Sequence, residues 1–174
     1  VLSNLSQVYG EMCGLLSYGF YFPEKTLLFP EDVHKCELAF PDTSFSNCLD
    51  PLRLDDARNL VYNYLSNAEA QAGMDVFTLK KQVENAIYRL IQTLADASFP
   101  TDEINSKKVM YFKKMDMSAD CNSLRQVLSE TFAELEDIVR KGTQEREGNL
   151  FYKIEEYIRL NCEQELKLYD LAKQ

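Results

Sequence analysis

The sequence predicts a mainly α-helical bundle of five to seven helices. Two observations carry this: apolar residues recur at intervals of three and four over most of the chain, and a two-residue join, Gly73-Met74, separates two long stretches of that kind. A third marks the exception, an aromatic run near residues 20–29 that reads as a short β-hairpin or an extended arm.

The elements follow in order. Leu2, Leu5, Val8, Met12, Leu15 and Leu16 share one helix face, and Gly19 ends that pattern. Phe20-Tyr21-Phe22 and Leu27-Leu28-Phe29 flank a Pro-Glu-Lys turn, and a two-stranded hairpin there would have to pack on something. Pro30 suits the first turn of a short helix over residues 31–40, whereas residues 41–51, rich in Ser, Asp, Asn and Pro, read as loop. Leu54, Ala57, Val61, Tyr64, Leu65 and Ala68 form a stripe ending near Gly73, a natural C-cap. Asp75 can cap the next helix, whose stripe is Val76, Leu79, Val83, Ile87, Leu90 and Leu94. The short join forces the two into an antiparallel helical hairpin. Tyr88 and Ile91 widen the second stripe, as a helix with several neighbours requires. Residues 102–114, capped by Thr101, make a further helix.

Ser118 or Asp120 starts the next one. Its face of Leu124, Leu128, Phe132, Leu135 and Val139 approaches a heptad seam, open to two readings: core packing or a dimer seam. Lys141-Gly142 is expected to end this helix, and residues 143–149 to form a polar connector.

Composition bounds the function. In 174 residues, 45% hydrophobic and 27% charged is the balance of a folded globular chain and argues against disorder. No apolar run approaches the roughly 20 residues that span a bilayer, and no signal-peptide pattern opens the chain. A membrane partner is therefore not expected. A net charge of −9, with 19 basic residues dispersed among 28 acids, makes this stretch a poor nucleic-acid binder by itself. Five scattered cysteines, never in a C-x-x-C pair, suit reduced thiols in a cytoplasmic protein. The chain opens Val1-Leu2-Ser3 and stops at Lys173-Gln174 within a helical pattern, as a piece cut from a longer protein would.

From Leu150 the pattern restarts as a helix, which Asn161 is expected to stop, then a polar turn and the start of another helix. That string resembles the opening of the AraC-type DNA-binding domain, where I-x-x-Y-I-x-x-N-Y leads into L-S-L-x-x-L-A and the first helix-turn-helix. The matching positions are Ile154, Tyr157, Ile158, Asn161, Leu166, Leu168, Leu171 and Ala172. Cys162 stands where the family usually has Tyr, and Lys167 where it often has the N-capping Ser. An aromatic segment followed by a long helical hairpin is similar, in pattern and order, to the linker of YesN-type two-component response regulators.

The resemblance implies residues 1–143 as a helical signal-transmission linker and 149–174 as the truncated start of the AraC-type domain. It implies a phosphorylated receiver upstream, served by a sensor histidine kinase, and DNA contacts by recognition helices downstream. A homodimer would fit the same scheme. The alternative is a ligand-sensing regulatory domain of a one-component AraC-type transcription factor, with the aromatic segment 18–29 lining its pocket.

No catalytic, cofactor-binding or metal site is expected. Glu31-Asp32-Val33-His34 has the E-x-x-H spacing of a carboxylate-bridged di-iron site, but two such motifs are needed and His34 is the only histidine. His34 and Cys36 offer two metal ligands where tetrahedral zinc takes four. A Cys nucleophile would need that same His as its base. Asp55 and Asp56 suit the positive end of a helix dipole rather than paired acid–base work. Among six glycines there is no phosphate-cradling loop.

Overall fold

A computed structural model describes residues 2–49 and 52–161. It contains six helices and, among the described residues, no strand. They are α1 (Leu2–Tyr18), α2 (Asp42–Leu49), α3 (Leu54–Gln71), α4 (Val76–Asp96), α5 (Asp102–Asp116) and α6 (Cys121–Asn161). No described helix is long and apolar enough to cross a membrane.

The body is built from α3 to α6, with α2 on the flank of α3. The predicted stripes supply its core: Ala57, Val61, Leu65 and Ala68 of α3 meet Leu79, Val83, Ile87 and Leu94 of α4, all fully buried. The α3–α4 turn is tight. Ala72 takes a left-handed conformation (φ 49°) at the C-cap, and Asp75 accepts a bond from the Thr78 amide at 2.8 Å. The Tyr64 hydroxyl donates to Gln82 Oε1. Tyr64 and Gln82 stand about equally far from the turn, the pairing of an antiparallel hairpin.

Gly73 is not the left-handed cap the sequence suggests. Instead a Cβ there would lie 1.8 Å from the His34 carbonyl oxygen, so only glycine lets the 33–41 segment cross this turn. The Cys36 amide donates to the Gly73 carbonyl at 3.0 Å.

Three local expectations are corrected. The β-hairpin near residues 20–29 does not form. Gly19–Tyr21 is a 3-10 turn whose Phe20 and Tyr21 are buried, with the Tyr21 hydroxyl donating to the Met74 carbonyl at 3.0 Å. The amides of Lys25 and Phe29 bond to the Phe22 carbonyl and the Asp32 carboxylate, so no cross-strand ladder is available to them. The helix expected over 31–40 shrinks to Pro30–Asp32. Beyond it Cys36, Leu38 and Phe40 turn toward the core at period two, as an extended segment does. The expected loop over 41–51 instead contains α2, which buries Phe45, Cys48 and Leu49. Arg89 of α4 holds α2 through Asp42 (2.8 Å) and Ser46 (2.6 Å), and its guanidinium lies over the Phe45 ring.

Candidate functional site

The feature that sets this bundle apart is α6, a helix of 41 residues. At 1.5 Å per residue it is about 60 Å long, twice what a bundle of ~20-residue helices can cover. Its start is fixed by Asp120, whose carboxylate accepts the Ser123 amide at 2.7 Å. Those bonds hold the Asp120 carboxyl below its ordinary range. Thr101 plays no such part for α5, since its hydroxyl accepts instead from the Asn105 side chain at 3.2 Å.

The first half of α6 is locked into the body. Leu124, Leu128, Phe132 and Leu135 are buried and Val139 is half-buried, so the heptad-like face is covered by the chain's own helices. Burial of this kind accords with the core-packing reading of the stripe. Four ion pairs set its register. Arg125–Glu69 and Arg58–Glu136 link it antiparallel to α3, while Lys107–Glu134 (3.0 Å) and Lys114–Glu130 (3.1 Å) link it antiparallel to α5. Partly exposed pairs like these add little stability each, about 0–1 kcal/mol, and act more as register marks. The Tyr111 hydroxyl, beside Glu134 on the α5 face, is pushed up to about 12, chiefly by burial.

The helix leaves the body at Gly142. Lys141-Gly142 does not end it, and residues 143–149 continue as helix rather than as a connector. The reason is packing. A Cβ on Gly142 would stand 2.5 Å from Phe99 Cδ1, so the glycine lets the α4–α5 turn press against the helix. One turn later Arg146 lies 4.2 Å from the Phe99 ring centroid and donates to the Ala97 carbonyl. Thus Phe99 is gripped between Gly142 and Arg146, beside Ser98, which holds a left-handed φ of 59°. Within the clamp Thr143, Gln144 and Glu145 are exposed, and beyond it Gly148 and Phe151 are exposed and Ile154 is half-buried.

Ile154, Tyr157, Ile158 and Asn161 therefore ride on the helix that starts in the core. Leu166, Leu168, Leu171 and Ala172 lie outside the described residues.

The chemical candidates are not drawn together. Glu31 and His34 are exposed and share no helix, and no cluster of three His, Cys, Asp or Glu exists among the described residues. Cys13 is exposed, Cys36 half-buried, and Cys48 and Cys121 buried. Burial pushes the Cys121 thiol up to about 12, the opposite of an activated nucleophile. Asp55 pairs with Arg58 (2.7 Å) and Asp56 with Arg53 (3.2 Å), as first-turn acids do. In the aromatic segment, Tyr18, Phe20 and Tyr21 pack into the core, whereas Leu27 and Phe29 are exposed. Burial holds the Tyr21 hydroxyl above its ordinary range. Lys80 is buried too. Its Nζ donates to the Asp116 and Ser118 carbonyls at 2.5 and 2.9 Å, closing the open end of α5, and burial lowers its pKa.

Comparison with protein-family models, with curated proteins and with solved structures finds no match to this chain.

Proposed function

We propose that the chain is the signal-transmitting linker of a cytoplasmic DNA-binding response regulator, set between a phosphorylated receiver and an AraC-type domain. The observation that carries the reading is the continuity of α6. One helix runs from a buried, ion-paired seam, past the Phe99 clamp, to the positions that resemble the AraC-type opening. A rod of that kind passes a rotation at one end to the other, where a flexible connector would absorb it. The linker itself is not an enzyme. Its work is mechanical: a change in how α3 and α5 hold the first half of α6 reorients whatever follows residue 161. Coupling of this sort needs two arrangements of the rod, and the grip on Phe99 is the contact that would differ between them. Under this reading a sensor histidine kinase acts through the receiver, and DNA is bound by the downstream helices alone.

The coding DNA on both sides of the segment tests the proposal. An upstream domain with acidic residues after its first strand, an Asp at a later strand end and a Lys beyond, and a downstream helix-turn-helix, are expected. A stop codon directly after Gln174 would overturn it. In the longer protein, two residues inserted near position 147 turn the helix by about 200°, whereas seven turn it by nearly two full turns. The short insertion should uncouple phosphorylation from DNA affinity and the long one preserve it.

A further inference from the structure

α1 is turned the wrong way round for a helix of a monomer. At about 100° per residue, Gln7, Glu11, Gly14 and Tyr18 share one face of it. That face looks across an open groove of about 690 Å³ at Pro30, Val33, Lys35 and Asp75 of the body. Leu5, Tyr9, Met12 and Leu16 lie on the opposite face, and their exposures are 61%, 72%, 60% and 78%. Val8 beside them is 50% exposed. An amphipathic helix in a globular protein presents its apolar stripe to the core; here the polar stripe faces the body.

The outward stripe has a strict order. Leu5, Tyr9, Met12 and Leu16 are separated by four, three and four residues, the a/d spacing of a coiled coil, and Leu2 starts the same register in the sequence. The flanking positions that face a partner helix are Ser6, Val8, Cys13 and Leu15, none of them charged. Glu11 is the single charged residue of α1; it lies on the groove side and accepts a hydrogen bond from Gln7 at 3.1 Å. In a chain of net charge −9, this is a surface on which two copies meet without like charges opposing. Five such side chains leave on the order of 80–100 Å² each to be covered. A pair of helices then buries roughly 900 Å², near the ~1,000 Å² at which specific interfaces begin.

We infer that α1 is a self-association helix: two copies of this chain pair through Leu5, Tyr9, Met12 and Leu16 about a twofold axis. The inference does not rest on the linker reading, since the stripe it uses lies within residues 5–16 of this chain. It places the dimer contact on α1 instead of the buried face of α6. Over residues 5–16 alone the seam is short and the dimer it gives correspondingly weak.

Sedimentation of the full chain between about 10 and 500 µM tests it. Wild type should shift from monomer to dimer. Tyr9→Lys/Met12→Lys, which puts charges across the seam, should weaken association roughly tenfold or more. Its melting temperature at low concentration should stay unchanged, because the seam faces away from the body. Gln7→Lys/Glu11→Lys on the opposite face should dimerise like wild type. Tyr9 meets its own copy if the helices run parallel and Met12 of the other copy if they run antiparallel. In chains with Cys13→Ser, Tyr9→Cys alone (parallel) or a mixture of the Tyr9→Cys and Met12→Cys chains (antiparallel) should therefore cross-link on oxidation, and Gln7→Cys in the same chain should not. A wild type that stays monomeric at 500 µM overturns the inference, as does a Tyr9→Lys/Met12→Lys variant that dimerises undiminished.

Discussion

Replacing Gly142 by Ala tests whether the clamp at the exit of α6 is real packing. Two effects oppose each other. A helical Gly→Ala change gains about 1 kcal/mol of intrinsic propensity. Against it, the new methyl would sit 2.5 Å from Phe99 Cδ1, 3.0 Å from Cε1 and 3.3 Å from Pro100 Cδ. Carbon atoms settle at about 3.5–4.0 Å, so ring or helix must retreat by about 1 Å. The ring has little freedom. It is 8% exposed, its face carries the Arg146 guanidinium 4.2 Å from the ring centroid, and its own amide bonds to the Leu94 carbonyl at 3.0 Å. Overpacking of this kind costs about 1–3 kcal/mol, so the net effect is a loss of up to about 2 kcal/mol. In a domain of this size the full ~2 kcal/mol would lower Tm by roughly 4–8 °C.

The clean form of the experiment is a double-mutant cycle with Phe99→Ala, read by thermal and urea melts followed by circular dichroism. Once the ring is gone, Gly142→Ala should stabilise by about 1 kcal/mol, because only the propensity gain remains. A change of sign between the two backgrounds is the signature of the clamp. If Gly142→Ala stabilises the wild type as much as it does the Phe99→Ala chain, the ring does not press on the helix there. The case for a fixed exit from the bundle then fails.

Other perturbations follow from the same structure. Gly73→Ala should destabilise by about 2–4 kcal/mol in urea melts, because its methyl would meet a backbone carbonyl, that of His34, rather than a side chain that can swing aside. Ser98→Gly should raise stability by about 0.5–1 kcal/mol: releasing a left-handed residue returns about 1–2 kcal/mol, and the looser unfolded chain takes back part of it. Asp120, held below its ordinary 3.8 by the Ser123 amide and then its hydroxyl, contributes stability above pH 3.8 that is lost as the pH falls below it. Asp120→Asn should thus lower stability at neutral pH and flatten the acid limb of a stability–pH curve. Cys121 is the mirror case: with its thiol raised to about 12 from 9.0, its contribution is whole below pH 9 and fades as the pH climbs toward 12. At pH 8 a thiol reagent should label Cys13 at once and reach Cys48 and Cys121 only as the chain unfolds.

Much of the bundle was legible because its helices obey a single rule. The stripes of α3 and α4, the hairpin between them and the Asp75 cap follow from spacing and side-chain chemistry alone. The misreadings share a cause, in that local composition masked a longer pattern. Ser44, Ser46 and Asn47 make α2 look like loop, yet Phe45, Cys48 and Leu49 keep the i, i+3, i+4 spacing of a buried helix face. At Lys141-Gly142 the glycine reads as a stop. The seam does not break there: Leu135, Val139, Gly142 and Arg146 continue in steps of four, three and four. A glycine on the register of a packed face is a place where something comes close, and Phe99 is what comes close. The aromatic run at 20–22 failed as strand because Phe20 and Tyr21 both turn into the core, which alternation forbids. The chemical side of the reading rests on scarcity, since one histidine leaves little to assemble.

The two heptad-like stripes of this chain show where periodicity stops being informative. The α6 face is spaced four, four, three, four, and the α1 face four, three, four; nothing in either string says what will cover it. The difference comes from connectivity. α6 follows α5 through a four-residue turn, so its apolar face is delivered onto helices that already need a partner. α1 is joined to the body through Tyr18 and the 3-10 turn after it, where buried Phe20 and Tyr21 anchor the chain. That anchor fixes the rotation of the last turn of α1. Because a helix is rigid, it also fixes which way Leu5, Tyr9, Met12 and Leu16 point. Tyr18 is drawn inward, and the residues half a turn out of phase with it are carried to the far side. An intramolecular home for the stripe would need the anchor to rotate by about 180°, taking Tyr18 out of the core. The outward seam is thus a consequence of where the aromatic anchor sits, and any partner for it must come from outside this body.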